Sequence, residues 1–431
     1  MIKVAIGNIN MKKLTLIFLA MLCCADIVAA RSDKMDIYDD FDMQFCGAKN
    51  MEGQTWAYAI ESLSRMRQLK PDFTTTDFSS LKNMFDIDPP GDGTRLAATG
   101  TVFPISVDKT LFVLAKGGDL FFLMKSVDGG AHYGANPPTF DDNSPVLYLG
   151  ADPTTPRSTT GQNTNVIVMA KGFCEATIDG NTVLFLGEYP GKTGKRLTLW
   201  KSTDLGTTWT SAASWSNTPT VVADHFHAVV QNPHDLSKIY LSFGDSIVGN
   251  TTPPVKGGII VWDGKRILNV QPDQDSGWVN HMAGWSNLDF LCTANYVFTG
   301  PEMSTPSGLY RYDSSLSLNS RVKIYDPAAN YLDDPMHGFG IACTMPDGTL
   351  IFTRCCGSGT INRRSALVAS VDDGATWKVA AYYTMAAGNF NYVQNVFPFG
   401  GKLVLSSASA ALPETPPDAY PVEHRQNSNA R

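Results

Sequence analysis

The sequence has little that would bind nucleic acid. Only 17% of its 431 residues are charged, its formal net charge is −7, and no stretch is rich in lysine and arginine. An acidic chain without a basic patch attracts a polyanionic backbone poorly, so we expect no nucleic-acid partner. Hydrophobic residues make up 43% of the chain, which is ample for the large core of a globular protein.

The sequence also lacks any C-x-x-C pair, which excludes a zinc ribbon and a thioredoxin-like redox motif. Two of its eight cysteines fall in the first thirty residues. We expect the other six to form a few disulfide bridges or to be buried thiols, and six cysteines allow fifteen connectivities. These six are Cys46, Cys174, Cys292, Cys343, Cys355 and Cys356.

The apolar run near the start of the chain is too short for a membrane-spanning helix. From Met11 it reads "MKKLTLIFLAMLCCADIVAA", with two lysines before the run, Asp26 near its end, and small residues after it. This pattern predicts a cleavable signal peptide over residues 1–30. We therefore expect a secreted or periplasmic protein without a stable membrane anchor.

Helical periodicity is nearly absent, and short β-rich runs separated by Gly, Asn and Asp turns replace it. The recurring unit is strand, turn, strand, loop, strand, Asp-containing turn, strand, which is one four-stranded blade of a β-propeller. The predicted fold is all-β, a six- or seven-bladed propeller of four-stranded antiparallel blades over residues 96–409.

The two ends of the chain differ from this pattern. In "WAYAIESLSRMRQL", Trp56, Ile60 and Leu63 recur at helical spacing, which predicts one helix in an N-terminal segment at 31–95. That segment is also a candidate for completing a blade. Residues 410–431 are Pro-rich and polar, so we expect a disordered tail.

One turn motif occurs three times, as "STDLGTTW" from Ser202, "SVDDGATW" from Ser370 and "SVDGGAHY" from Ser126. Its Asp accepts backbone N–H groups, its Gly supplies a positive φ, and its Thr and Trp lead into the next strand. The motif resembles the Asp-box (BNR) repeats of the sialidase-like superfamily. The resemblance implies a propeller with each box between the third and fourth strands of a blade, and with ligands bound on the opposite face.

On that opposite face we expect residues from the starts of first strands and the ends of second strands. The predicted catalytic residues are Tyr189, Arg196, His225 and His227. The predicted substrate-binding residues are Glu188, Asp245, His337, Arg354 and Tyr392. No cofactor is predicted, although His225 and His227, two positions apart on one strand, would point to the same side and suit a metal ion as an alternative.

Three functions are compatible with these residues. The first is a glycoside hydrolase. Sialidases of similar fold bind the substrate carboxylate through arginines, but "GTVFPISV" stands here without the expected Arg-Ile-Pro motif. A different glycoside hydrolase would need two carboxylates, for which Glu188, Asp245 and Glu302 are available.

The second function is a lyase that cleaves uronate-containing polysaccharides by β-elimination, as in the architecturally similar ulvan lyases. Tyr and His suit the proton transfer, and Arg suits the substrate carboxylate. The third is a non-catalytic propeller that binds glycans or proteins. We favour the lyase, with an extracellular, anionic glycan as its partner.

Overall fold

A computed structural model of the chain describes residues 44–51, 54–62, 65–69, 75–78, 97–107, 109–140, 142–158, 162–190, 196–216, 225–244, 257–264, 267–269, 289–300, 308–314, 316, 320–326, 337–356, 364–385, 393–407 and 411–414. The regular elements in these ranges are β-strands. Within the same ranges, no helix has the length and hydropathy needed to cross a membrane. The predicted signal peptide lies outside them.

Six successive sheets contain four strands each in chain order, and their pairings are antiparallel. Sheet 1 contains β1 (Gln44–Met51), β2 (Gln54–Ser62), β3 (Arg65–Leu69) and β4 (Thr75–Phe78). Sheet 2 contains β5 (Ala97–Pro104), β6 (Leu111–Gly117), β7 (Leu120–Ser126) and β8 (Leu147–Tyr148). Sheet 3 contains β10 (Phe173–Ile178), β11 (Asn181–Gly187), β13 (Arg196–Ser202) and β14 (Thr210–Ser216), and a separate short pair contains β9 (Val166–Ile167) and β12 (Tyr189–Pro190).

The remaining strands continue this pattern along the chain. Sheet 4 contains β15 (His225–Gln231), β16 (Ile239–Gly244), β17 (Gly257–Trp262) and β18 (Ile267–Asn269). Sheet 5 contains β19 (Leu291–Cys292), β20 (Tyr296–Thr299), β21 (Leu309–Asp313) and β22 (Val322–Tyr325). Sheet 6 contains β23 (His337–Thr344), β24 (Leu350–Cys356), β25 (Arg364–Ser370) and β26 (Lys378–Met385), with β29 (Ala411–Glu414) added at its edge, and a hairpin contains β27 (Val393–Phe399) and β28 (Lys402–Ser407).

The core lies between consecutive sheets. Alternate residues of a strand face opposite sides of its sheet, so a strand buried on both sides is apolar at nearly every position. In β11, Leu184 and Leu186 pack towards sheet 2 whereas Val183 and Phe185 pack towards sheet 4. Similar apolar clusters join sheets 4 and 5, sheets 5 and 6, and sheet 6 and the β27–β28 hairpin.

The three repeated motifs form the same turn between the third and fourth strands of sheets 2, 3 and 6, as predicted. In sheet 3, Ser202 Oγ donates to Asp204 Oδ1 at 2.8 Å and accepts the Gly206 N–H at 2.8 Å. Thr208 donates its N–H and its hydroxyl to the same carboxylate, at 2.9 and 2.6 Å. The turn at Ser370 repeats these bonds with distances of 2.6–2.9 Å.

The third turn, at Ser126, keeps the motif with a different partner for its aspartate. Here His132 Nδ1 lies 2.6 Å from Asp128 Oδ2, at the place that threonine occupies in the other two turns. His132 therefore belongs to the turn, on the box side of the sheet.

The helix predicted over 56–69 is wrong, because this part of the chain forms β2 and β3, which pair as Ala57 with Leu69. Trp56, Tyr58 and Ile60 also alternate with alanines, which is the period of a strand. Pairing with β1 on one side and β3 on the other satisfies the backbone of β2 and decides between the two periods.

The predicted disordered tail is corrected over four residues. Ala411–Glu414 form β29, which pairs with Tyr382–Met385 of β26. The exposed edge of β26 supplies free backbone donors and acceptors, and an extended tail can pair with them whatever its composition. The rest of residues 410–431 lies outside the described residues.

Several first strands share an irregularity at the start of the strand. A register shift interrupts the pairing of β1, β5, β15, β23 and β27 with the strand that follows each. Such bulges re-aim side chains and are frequent beside functional sites. In β15 the residue left out of the ladder is His227.

Candidate functional site

Three of the predicted residues form one cluster where sheets 3 and 4 meet. The ring of Tyr189 stacks on that of His225 with 3.9 Å between centroids and 28° between planes. The centroid of His227 lies 4.6 Å from that of His225 and 5.9 Å from that of Tyr189. The two histidine Nε2 atoms are 2.8 Å apart, so one ring donates a hydrogen bond and the other accepts it.

The segment Gly187–Tyr189 connects this cluster to β15. A Cβ on Gly187 would lie 2.8 Å from Cβ of Phe226, so only glycine allows Phe226 to pack this closely. The N–H of Phe226 donates to the carbonyl of Glu188 at 3.0 Å. Because Phe226 stands between the two histidines, these contacts place both imidazoles beside Tyr189.

Burial differs sharply within the cluster. His225 and His227 are 3% and 2% exposed, whereas Tyr189 is partly exposed. Burial and the neighbouring His227 lower the pKa of His225 to about 2, so its ring is neutral at physiological pH. Both histidines were predicted to be catalytic; in this structure Tyr189 lies nearer to solvent and the imidazole pair lies behind it.

Glu188 was predicted to bind substrate, and its burial contradicts that role. Its side chain is fully buried, and its two oxygens accept N–H groups from Gly150 at 2.6 Å, Trp200 Nε1 at 2.8 Å and Thr198 at 3.2 Å. Burial raises the pKa of Glu188 to about 7. The hydrogen bonds and the nearby charge of Arg196 act in the opposite direction but are outweighed by burial. Glu188 is thus an internal carboxylate that joins sheets 2 and 3.

Arg196 begins β13 and holds the turn that follows β8. Its Nη2 donates to the carbonyls of Gly150, at 3.3 Å, and Ala151, and its Nη1 lies 3.4 Å from Asp152 Oδ2. The side chain of Asp152 is 44% exposed, so this ion pair faces solvent. Hydrogen bonds from Thr154 lower the pKa of Asp152. The turn Gly150–Asp152 therefore connects Arg196 with Glu188.

Most of the other predicted site residues cannot be compared with this cluster. Asp245 and Tyr392, as well as Glu302, lie outside the described residues, and for His337 only the backbone at the start of β23 is described. Arg354 lies in β24 of sheet 6 and is 3% exposed, and its predicted contact with a substrate stays a prediction.

Over the described ranges, no cluster of three or more His, Cys, Asp or Glu side chains is placed to hold a metal ion. The His225–His227 pair supplies two ligand atoms. Cys174, Cys292 and Cys343 are buried, and Cys292 and Cys343 are free thiols. The other three cysteines predicted as bridges or thiols lie in β1 and β24, where only the backbone is described.

A second buried carboxylate, Asp289, was not anticipated from the sequence. It is 2% exposed and accepts N–H groups from Phe290 at 2.8 Å and Ala342 at 2.9 Å. Lys171 Nζ lies 3.1 Å from Asp289 Oδ2 and donates to the carbonyl of Ala342 at 2.9 Å. The three groups join sheets 5 and 6 to the loop before β10. Asp289 follows a stretch without a strand pattern, so no sequence signal marked it.

No protein-family model and no curated protein matches this sequence. Among solved structures, the chain is similar to a GH74 xyloglucanase from Xanthomonas campestris at 15% identity and a TM-score of 0.45, covering 79% of this chain and 46% of that one. It is also similar to a streptogramin B lyase (10% identity, TM-score 0.43, 88% and 95% covered) and to BamB from Moraxella catarrhalis (10%, 0.38, 86% and 82%). All three are β-propeller proteins.

Proposed function

We propose that the chain is an exported six- or seven-bladed β-propeller that cleaves an extracellular anionic polysaccharide by β-elimination. The successive four-stranded meanders and the apolar clusters between them support the propeller. Contacts of β27 with β23 and β1, and of β1 with β5, support an arrangement in which the ends of the chain meet. The three Asp-box turns support membership of the sialidase-like superfamily as part of this proposal.

The observation that carries the chemistry is the stacked cluster of Tyr189, His225 and His227. β-Elimination at a uronate needs a group that removes the proton next to the carboxylate and a group that protonates the leaving oxygen. As a phenolate, the partly exposed Tyr189 takes the proton next to the carboxylate, and the resulting phenol donates that proton to the leaving oxygen as its bond to carbon breaks, so that the tyrosine ends as it began. The imidazole pair packs behind the ring and positions it for both transfers.

Arg196 supplies the positive charge that a uronate carboxylate requires. Its partner Asp152 lies 3.4 Å away on the exposed side, in the place that a substrate carboxylate would take. The hydrolase alternative loses one of its carboxylates, because the oxygens of Glu188 are buried and already accept three N–H groups.

Non-catalytic glycan binding is the second candidate, and one observation favours it. With both imidazoles buried, Tyr189 is the member of the cluster that a sugar could reach, and a partly exposed aromatic ring suits stacking on a sugar face.

The test is an activity screen of the mature protein against ulvan, pectate, alginate, glycosaminoglycans and sialylated glycans. We expect ultraviolet absorbance from unsaturated uronate ends to rise together with reducing sugar, and the Tyr189→Phe variant to lose about 100-fold or more of this activity. Reducing sugar without absorbance would indicate hydrolysis. Binding without either signal, retained in Tyr189→Phe, would indicate a glycan-binding protein.

A further inference from the structure

We propose that Glu188 is a positioning residue for the cluster of Tyr189, His225 and His227. Its buried carboxylate fixes the backbone from which Tyr189 leaves sheet 3, and so sets where the tyrosine ring meets the imidazole pair. The functional meaning of this role rests on the proposed function, whereas the geometry itself is testable without a substrate.

The first step of the argument is that Glu188 joins three sheets. Its side chain accepts N–H groups from Gly150 after sheet 2 and from Thr198 and Trp200 in β13 of sheet 3. Its backbone carbonyl accepts the N–H of Phe226 in sheet 4 at 3.0 Å, and its own N–H donates to the carbonyl of Thr198 at 3.1 Å. Displacing this residue would disturb its contacts in all three sheets.

The second step is that the ionised carboxylate, the form of Glu188 above its pKa of about 7, satisfies every one of these donors. Three donors converge on the two oxygens of Glu188, and a carboxylate is an acceptor at both. A glutamine has the same shape but turns one oxygen into an NH2 group. That group would face either the Thr198 N–H or the pair formed by the Gly150 N–H and Trp200 Nε1, so at least one buried donor would lose its partner.

The third step links Glu188 to the imidazoles. Tyr189 is its direct neighbour in the chain and stacks on His225, and Phe226, which its carbonyl holds, separates His225 from His227. A change at Glu188 therefore reaches the cluster from both sides. Because Glu188 is fully buried, it acts through these neighbours and not by contact with a substrate.

Asp289 provides a matched control elsewhere in the molecule. It is also a buried carboxylate, it also accepts two backbone N–H groups, and it also joins neighbouring sheets. The Asp289→Asn variant should therefore lose stability as Glu188→Gln does. The Lys171 carbonyl accepts the Val229 N–H of β15 at 2.7 Å, so Asp289 is linked to the histidine strand by a longer route, and Asp289→Asn should shift the imidazole signals less than Glu188→Gln does.

The experiment is NMR of the full chain with isotope-labelled histidine, comparing wild type with Glu188→Gln, Trp200→Phe and Asp289→Asn below their melting temperatures. Single His225 and His227 variants assign the signals. We expect Glu188→Gln to shift the imidazole signals of both residues, and Trp200→Phe, which removes one donor to Glu188, to shift the same signals less. The signals of His132 and His234 should stay in place in all three variants.

Unmoved His225 and His227 signals in folded Glu188→Gln would overturn the proposal, as would equal shifts in Asp289→Asn. If Glu188→Gln does not fold, Trp200→Phe decides in the same way. Failure of the proposed function gives a different result: the signals shift as expected, yet the wild type cleaves none of the polysaccharides in the screen.

Discussion

The junction between sheets 3 and 4 and the junction between sheets 5 and 6 share one packing contact. In the first, Gly187 at the end of a second strand receives Phe226 from the next first strand; in the second, Gly300 receives Phe339 in the same way. A Cβ would approach the phenylalanine to 2.8 Å at Gly187 and to 2.6 Å at Gly300. A bulge follows the phenylalanine in both first strands.

The residues around the two phenylalanines differ. The sequence reads "HFH" at 225–227 but "GFG" at 338–340, and Gly187 precedes Glu188 and Tyr189 whereas Gly300 precedes Pro301. The second junction thus forms the packing contact with glycines at the two positions where the first junction has histidines.

This difference separates what the fold needs from what it does not. The glycine and phenylalanine occur in both junctions and serve packing. Burying two imidazoles costs free energy that their shared hydrogen bond partly offsets, and the second junction has glycines at both positions. This difference supports the functional role proposed for His225 and His227.

The largest expected effect tests the shared contact. Phe226→Ala and Phe339→Ala each empty a fully buried site, so each should lower the free energy of unfolding by about 3–5 kcal/mol. Urea denaturation followed by tryptophan fluorescence measures both. A loss of unfolding free energy in only one of the two variants would show that the phenylalanines do not contribute equally to stability.

The next effect tests the difference between the junctions. A His225→Gly/His227→Gly double variant copies the second junction, so it should fold but lose about 100-fold or more of the lyase activity. Circular dichroism and the absorbance assay measure the two properties. The control is Gly340→Ala, at the position of the second junction that corresponds to His227. It should leave activity unchanged at temperatures where the protein is folded. Full activity in the double variant would contradict the catalytic role.

The two buried titratable groups of the first junction should have opposite pH dependences. The lowered pKa of His225 means that unfolding takes up a proton below pH 6.5, so its contribution to stability is lost as pH falls. The raised pKa of Glu188 means that unfolding releases a proton between pH 4.5 and about 7, so its contribution is lost as pH rises.

Denaturation from pH 4.5 to 6.5 tests these signs. Relative to wild type, His225→Gly should become less stable as pH rises and Glu188→Gln more stable, each by up to about 1.4 kcal/mol per pH unit. Parallel curves for the wild type and both variants would contradict the assigned shifts. Asp289→Asn serves as the control for general destabilisation.

Local patterns predicted the repeating parts of the fold. The S-x-D-x-G-x-T-W spacing carries its own turn geometry, and its resemblance to the Asp-box repeats implied the position between third and fourth strands that all three copies have. The short β-rich runs likewise predicted strands. The segment at 56–69 satisfied the helical and the strand period at once, and only its pairing with β1 decided between them.

The site was less predictable because long-range contacts form it. The sequence marked Tyr189, His225 and His227 by their positions at strand ends. The burial of Glu188 depends on Gly150, which is 38 residues away in the chain, and nothing local signals that approach. The bulge that leaves His227 out of the ladder also has no local signature in "HFHAVV".

The smallest expected effect concerns the repeated turns. Thr208 and Thr376 each donate a hydroxyl to the aspartate of their turn at 2.6 Å, in exposed positions. Replacing either by alanine should therefore cost about 1 kcal/mol of unfolding free energy.

Neither change should affect catalysis. The box of sheet 3 follows Ser202, at the opposite end of β13 from Arg196, and six strand steps separate the two by roughly 20 Å. Equal, small losses of stability with unchanged activity would assign the turns to the fold alone. Loss of activity in Thr208→Ala but not in Thr376→Ala would instead show that the turn of sheet 3 influences the cluster through β13. The turn of sheet 3 would then serve function as well as the fold, against the division drawn from the two junctions.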